Sequence, residues 1–250
     1  MYKDFYIDET VFYKIKIKQL LYSGYSQYQK IEVFETDSVL GRVLALDDVI
    51  QVCTGDYYNY HQGFVEPALK ANPDISSTLI VGGGDGVMAK FLIDNGIQDI
   101  TQVEIDQKVI NVCNQYFTNI NDCALDKINL FVTDGIKFVK RSKDKYDLIL
   151  CDLTDSCDEN NSSFKIFTDD FFKDVKKIMN DKSIIIFQTD LPFWWDEQRV
   201  NTLQKVGSHF NNCGSYVTPV HSYGGMSSFV WASDESIITD KIFNGVTNGT

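Results

Sequence analysis

Between Thr78 and Phe187 five short apolar runs (Thr78–Val81, Ile100–Ile105, Ile128–Val132, Tyr146–Cys151 and Ser183–Phe187) alternate with amphipathic stretches. That alternation predicts strands separated by helices, and hence a parallel sheet covered on both faces. The first run opens directly into Gly82-Gly83-Gly84-Asp85-Gly86, and the stretch after it carries Val87, Met88, Phe91 and Leu92 at helical spacing. A glycine loop at the carboxyl end of the first strand lies where open α/β sheets bind their ligands, because glycine lets the backbone approach closely.

The segment before it reads differently. From residue 12 to 53, β-branched and aromatic residues recur in short runs. Tyr28–Phe34, Arg42–Leu46 and Val49–Cys53 are predicted strands, and Asp47-Asp48 is a two-residue hairpin turn. The expected organisation is a small antiparallel β module over 1–53 and a Rossmann-type α/β domain over 54–250. The second part opens on a helix near Thr54, a candidate N-cap, that ends before Asn72-Pro73. Ser215–Val220 and Ser227–Ala232, joined around Gly224-Gly225, are expected to close the sheet antiparallel.

The chain has 250 residues, enough for a full hydrophobic core without disulfides. Its 35 acids against 23 Lys and Arg give a net charge of −12, which disfavours a nucleic-acid binder dependent on phosphate neutralisation. The same charge steers cations inward or, more simply, keeps a protein soluble. Six cysteines without a C-x-x-C pair, with Cys53 and Cys151 inside apolar runs, suit reduced thiols in the cytoplasm. The acid-rich first ten residues do not read as a signal peptide, and no run approaches the length of a membrane span. The three histidines, His61, His209 and His221, stand far apart, giving little support for a metal site.

The strand ends carry acids. Glu104 lies 18 residues beyond Gly86 at the end of the second strand, where a carboxylate can accept both hydrogen bonds of a ribose diol. Asp85 sits inside the glycine loop. It would repel a pyrophosphate but suits a positively charged ligand, so an adenosyl sulfonium fits better than a dinucleotide. Asp134, before Gly135, is placed either to accept from an adenine amino group or to cap a helix. Asp152 and Asp155, three residues apart after the fourth strand, can hold a cation and accept a proton, or serve turn chemistry.

Taken together, Ser26-Gln27-Tyr28-Gln29, Phe34, Gly41 to Asp47, Val49-Ile50-Gln51, Tyr60-His61, the Gly82 to Gly86 loop, Val103 to Asp106, Asp134-Gly135 and Asp152-x-Thr154-Asp155 resemble the spermidine synthases, a family of polyamine aminopropyltransferases. The likeness is ordered and nearly collinear from about residue 26 to residue 232. It implies a class I methyltransferase-like sheet. It also implies transfer of the aminopropyl group of decarboxylated S-adenosylmethionine to putrescine or a related amine, releasing methylthioadenosine. On this resemblance the donor is held by Gln29, His61, Asp85, Glu104, Asp134 and Gly135, with Gly82, Gly84 and Gly86 shaping the loop. Asp152 is the proton acceptor, assisted by Tyr60, and Asp155, Gln188 and Tyr223 meet the amine. The donor is a co-substrate, so no cofactor or metal is implied. A homodimer or homotetramer is implied, with neither nucleic acid nor membrane as partner.

The departures from the family pattern gather on the acceptor side. Ser156 to Ser163 replaces a proline- and glycine-containing lid segment, Gln62 replaces a glutamate, and Ser222 stands where an amine-contacting tyrosine is usual, with Tyr223 beside it. His221 is either a polar pocket group or an ordinary half-buried histidine. Trp194 and Trp195 either hold an amine through cation–π contact or belong to core or interface. Relatives continue for some tens of residues past the position of Thr250, which implies a more open acceptor pocket or a covering partner. Two other functions share much of the pattern: an S-adenosylmethionine-dependent methyltransferase, and a catalytically weak binder of polyamine or nucleoside.

Overall fold

The computed structural model describes residues 2–6, 11–153, 167–189 and 191–236. Its first sheet runs in chain order through β1 (Tyr2–Tyr6), β2 (Phe12–Tyr25), β3 (Lys30–Thr36), β4 (Arg42–Leu46) and β5 (Val49–Cys53), all antiparallel. The alternation of side chains sorts its residues onto two faces. Ile31, Val33, Leu44, Leu46 and Val52 face the rest of the molecule, whereas Phe5, Ile17, Phe34, Val43 and Ala45 form a cluster on the other side. Asp47 and Asp48 both take positive φ, 46° and 65°, the backbone of a two-residue hairpin turn. Between Leu44↔Val52 and Ala45↔Ile50 the β4–β5 ladder slips, leaving Gln51 unopposed as a bulge.

Two sequence expectations need correcting here. The strand expected from Tyr28 begins at Lys30, because Ser26 closes a turn: its hydroxyl accepts from Tyr28 N and Gln29 N, and its N–H donates to Gln29 O. The acid-rich segment at the start contributes strand β1, which was not expected.

The second part starts with α1 (Tyr57–Ala71), whose N-cap position is Asp56 rather than Thr54, with the Asp56 carboxylate turned away to accept from Ser222 N. The Thr54 hydroxyl instead accepts from Arg42 N across the β4–β5 pair. Then follow β6 (Ser77–Gly82), α2 (Val87–Asp94), β7 (Asp99–Glu104), α3 (Gln107–Tyr116), α4 (Thr118–Asn121), β8 (Asn129–Val132), α5 (Gly135–Arg141), β9 (Tyr146–Asp152), α6 (Asp169–Lys177), β10 (Met179–Thr189), α7 (Pro192–Gly207), β11 (Asn212–Val220) and β12 (Gly225–Ser233). The sheet order is β11-β12-β10-β9-β6-β7-β8. Strands β8, β7, β6, β9 and β10 are parallel, and β12 and β11 close the edge antiparallel.

One face of this sheet packs against α1 and α2 through Phe64, Met88 and Leu92, the other against α5, α6 and α7 through Val139, Phe172 and Val206. Both faces being covered, β6 is buried along its whole length. The small sheet docks on α3, where Val109, Val112 and Cys113 meet Ile31, Val33 and Leu44. Docking there brings the β3–β5 ends over the carboxyl ends of β6, β7 and β9.

Candidate active site

A cavity of about 260 Å³ lies over those strand ends. Its floor is the glycine loop. At Gly82 φ is +92°, and a Cβ would lie 1.9 Å from Asp152 O, so only glycine lets β6 pass this close to β9. The loop is tied from three sides. Gln102 on β7, wholly buried, donates through Nε2 to Gly82 O (2.9 Å) and Gly83 O (2.6 Å). Asn121 donates to Asp85 O (2.8 Å), and Gly83 N donates to Asp152 O (3.0 Å). A polar residue within an apolar strand beside a glycine loop was the available signal for Gln102.

Glu104 ends β7. Its Oε1 accepts from Asp106 N (2.8 Å), while Oε2 lies 2.9 Å from where a Cβ on Gly84 would stand, against the loop. Burial raises its pKa to about 7 against the pull of the Asp106 and Ile105 N–H groups, and the charges of Asp106 and Asp152 add to the rise. Asp85 accepts from Val87 N (2.7 Å), and burial raises its pKa to about 6. Gln29 reaches the cavity from the small sheet, its Nε2 held by Asp106 Oδ2 at 3.1 Å.

Asp152 stands at the end of β9, opposite Gly82 in the β6 register. Tyr60 Oη donates to Asp152 Oδ1 at 2.5 Å. Tyr60 is fixed on the buried stripe of α1, its ring 5.8 Å from Phe64 and 5.6 Å from both Phe229 and Tyr223. Tyr223 turns its hydroxyl to Gln51 O at the bulge, and Gln188, at the end of β10, completes this side. The described lining of the cavity includes Asp47, Asp85, Glu104, Asp134 and Asp152 and holds no Lys, Arg or His.

Three expectations change, and Asp134 takes the capping alternative while still bordering the cavity. His61 is only 2% exposed and stands behind Asp85 rather than on the cavity wall; Nδ1 donates to Tyr57 O (2.6 Å), leaving the bare Nε2 3.8 Å from Asp85 Oδ1. Burial lowers its pKa, with Asp152 and the Tyr57 carbonyl pulling the other way. Gly86 also lies off the wall: at φ +78° it caps α2 and packs near Leu125 and Asn121. Asp134 borders the cavity, yet its Oδ1 caps α5, accepting from Ile136 N (2.9 Å) and Lys137 N (3.2 Å). His221 is exposed in a single 3-10 turn and is not a pocket group.

Gly82, Gly84 and Gly135 do line the cavity. Trp194 packs edge-on against Phe193 outside the lining, and the side chain of Trp195 lies outside the described residues. Asp155, Cys157 and the Ser156 to Ser163 segment also fall outside them.

Comparison with known proteins bears on the whole chain. Residues 58–241 match the family described as spermine/spermidine synthase domain, and residues 5–54 match the spermidine synthase tetramerisation domain. The polyamine aminopropyltransferase of Pectobacterium carotovorum subsp. carotovorum (strain PC1) is 33% identical over 222 residues, covering 87% of this chain and 76% of that protein. The polyamine aminopropyltransferase of Sodalis glossinidius (strain morsitans) is 35% identical over 221 residues, with the same coverage. Among solved structures, a spermidine synthase in complex with the transition-state analogue AdoDATO superposes with a TM-score of 0.89 at 24% identity, covering 97% of this chain and 83% of that one. The spermidine synthase from Thermotoga maritima gives 0.87 at 24% identity, covering 97% and 82%. These two likenesses speak to the fold.

Proposed function

We propose, from the premise that this chain belongs to the spermine/spermidine synthase family, that it is a polyamine aminopropyltransferase. It moves the aminopropyl group of decarboxylated S-adenosylmethionine to putrescine or a related amine and releases methylthioadenosine. The observation that carries the reading is a cavity with Asp85, Glu104 and Asp152 at or just beyond the ends of three neighbouring strands and no cationic side chain in its described lining. Such a site favours a sulfonium and ammonium groups over any anion.

The chemistry follows from the acceptor. A primary amine with a pKa of about 10.4 is protonated at neutral pH and has no lone pair to attack with. Asp152, oriented by the Tyr60 hydroxyl, takes the proton. The freed nitrogen attacks the methylene next to the sulfonium; the new N–C bond forms as the C–S bond breaks, and the electron pair leaves with sulfur as a neutral thioether. That leaving group needs no acid, so we propose no cofactor.

Glu104 takes the ribose hydroxyls and Asp85 the donor's ammonium, where the carboxylate of ordinary S-adenosylmethionine would be repelled. Gln29, Asp134, Gly135, Gly82 and Gly84 complete the donor side, with His61 and Gly86 supporting it from behind. Asp155, Gln188 and Tyr223 are proposed for the amine. The exposed apolar residues of β2, Phe12, Tyr13 and Leu20 among them, together with the match of residues 5–54, support a homo-oligomer formed through the small sheet, which we delimit at residue 53. Among the described residues no helix is long and apolar enough to cross a membrane. The buried, unpaired Cys53, Cys113 and Cys151 support a reducing compartment, and we propose the cytoplasm.

The test is release of methylthioadenosine from decarboxylated S-adenosylmethionine with putrescine, cadaverine, diaminopropane, agmatine and spermidine as acceptors. Turnover with at least one amine is expected. Tight binding of S-adenosylmethionine with no response to the decarboxylated form overturns the reading, and donor binding without product from any amine reduces it to a binding protein.

A further inference from the structure

Asp106, 2% exposed at the start of α3, makes three contacts that run in different directions. Its Oδ1 accepts from Lys108 N at 3.0 Å and so caps the helix. Its backbone N donates to Glu104 Oε1 at 2.8 Å. Its Oδ2 accepts at 3.1 Å from Nε2 of Gln29, which sits in the turn just before β3 of the small sheet. A carboxylate offers no hydrogen to Gln29, so the amide has to present its NH2 to Asp106 and keep its carbonyl oxygen for the cavity that Gln29 borders.

We propose that Asp106 is a positioning residue for donor binding. It turns the Gln29 amide so that an acceptor faces the bound cation, and it holds one oxygen of Glu104 aside so that the other faces the glycine loop. The proposal rests on the donor reading of the cavity. It adds a specific division of labour: polarity along the donor side is set from behind, by a group that need not touch the donor. An acceptor in that place suits a sulfonium and hydroxyl hydrogens, whereas an NH2 in the same place would repel the first.

The Asn variant separates this role from helix capping. Asn caps a helix about as well as Asp, and Lys108 N requires an acceptor, so the Oδ1 of the new amide goes to Lys108 and its NH2 faces Gln29. Gln29 then has to flip and put its own NH2 into the cavity. Exchanging the pair, Gln29→Glu with Asp106→Asn, restores an acceptor on the cavity side at unchanged net charge.

Calorimetric donor affinity, steady-state kinetics and thermal melting are measured on wild type, D106N, Q29A, D106N/Q29A and D106N/Q29E. D106N is expected to raise the donor KM and Kd about ten-fold, the worth of one hydrogen bond to a charged group, with a smaller effect on kcat and an unchanged melting temperature. The losses in D106N and Q29A do not add in the combined variant, and D106N/Q29E returns to within about three-fold of wild type. Additive losses, an unchanged donor affinity in D106N, or an exchange that rescues nothing overturns the proposal while wild-type turnover keeps the functional reading. A wild type that binds no adenosyl sulfonium overturns both.

Discussion

The two sides of the cavity are built on different plans. On the donor side, Asp85 and Glu104 each give one oxygen to a backbone N–H, and the glycine loop beneath them is tied by Gln102, Asn121 and Asp152 O. On the acceptor side the described residues are aromatic rings and bound-up polar ends: Tyr60 gives its hydroxyl to Asp152, and Tyr223 gives its hydroxyl to Gln51 O. A side made of strand-end carboxylates is preorganised by the sheet itself. A side made of rings on α1 and the β11–β12 connection depends on how those elements pack. Donor recognition is therefore expected to tolerate little, and acceptor recognition to be governed by shape and by Asp152.

Removing Asp152 tests that division most severely, because the two sides meet there. Asp152→Asn keeps the acceptor oxygen for Tyr60 but takes away the proton acceptor, and turnover is expected to fall at least about 10²-fold with donor affinity within a few-fold of wild type. Rapid-quench turnover and calorimetry on the same preparation check it. A variant that loses donor binding as much as turnover would make Asp152 part of the donor side and erase the distinction.

The same contrast explains what was legible beforehand. Glu104, Asp134 and Asp152 could be read because a parallel strand delivers its last residues, and those just after them, to one sheet edge, so position in sequence is position in space. Gln29 with Asp106, 77 residues apart, and Tyr223 with Gln51, 172 apart, could not, since each pair depends on the docking of one sheet or connection on another. His61 and Gly86 lie in readable motifs, yet motif membership does not say which side of a loop faces the cavity. Thr54 looked like a cap by residue type, but the β4 backbone competes for its hydroxyl. The strand at Tyr2–Tyr6 was hidden by its charges. Its partner β2 is mostly exposed, and there the apolar alternation that marks a strand is weak.

A pH titration probes the donor side next. Asp85 and Glu104, raised by burial to about 6 and about 7, take up protons as pH falls through those values, and a cationic donor displaces them. Because folding raises both above their usual carboxylate values, the stability they contribute is fully present below about pH 4 and is lost as pH rises through 6 and 7. Donor binding runs the opposite way. Affinity is expected to tighten from pH 5 to pH 8 by up to about ten-fold per pH unit for each carboxylate that must ionise. Burial pushes the His61 imidazole below its ordinary value, against the pull of Asp152 and the Tyr57 carbonyl. In Asp85→Asn the slope is expected to flatten and the affinity at pH 8 to drop, both measured by calorimetry with the decarboxylated donor. A slope unchanged in that variant would assign the titration to Glu104 alone.

The smallest effect is expected at Tyr223, where it sharpens the comparison most. Its ring packs edge-on against Tyr60 at 5.6 Å, and its hydroxyl donates to Gln51 O at the β5 bulge. Tyr223→Phe keeps the ring contact and removes the hydroxyl, so the loss is one hydrogen bond to a half-buried carbonyl, about 1 kcal/mol of stability. If the acceptor side works by shape, the amine KM moves by less than about three-fold and kcat is retained, because ring area rather than the hydroxyl meets the amine's methylenes. Initial rates across the diamine series decide it. A drop in kcat of ten-fold or more with putrescine alone would make the Tyr223 hydroxyl a polar contact to the acceptor, and the acceptor side would then be as specifically hydrogen-bonded as the donor side.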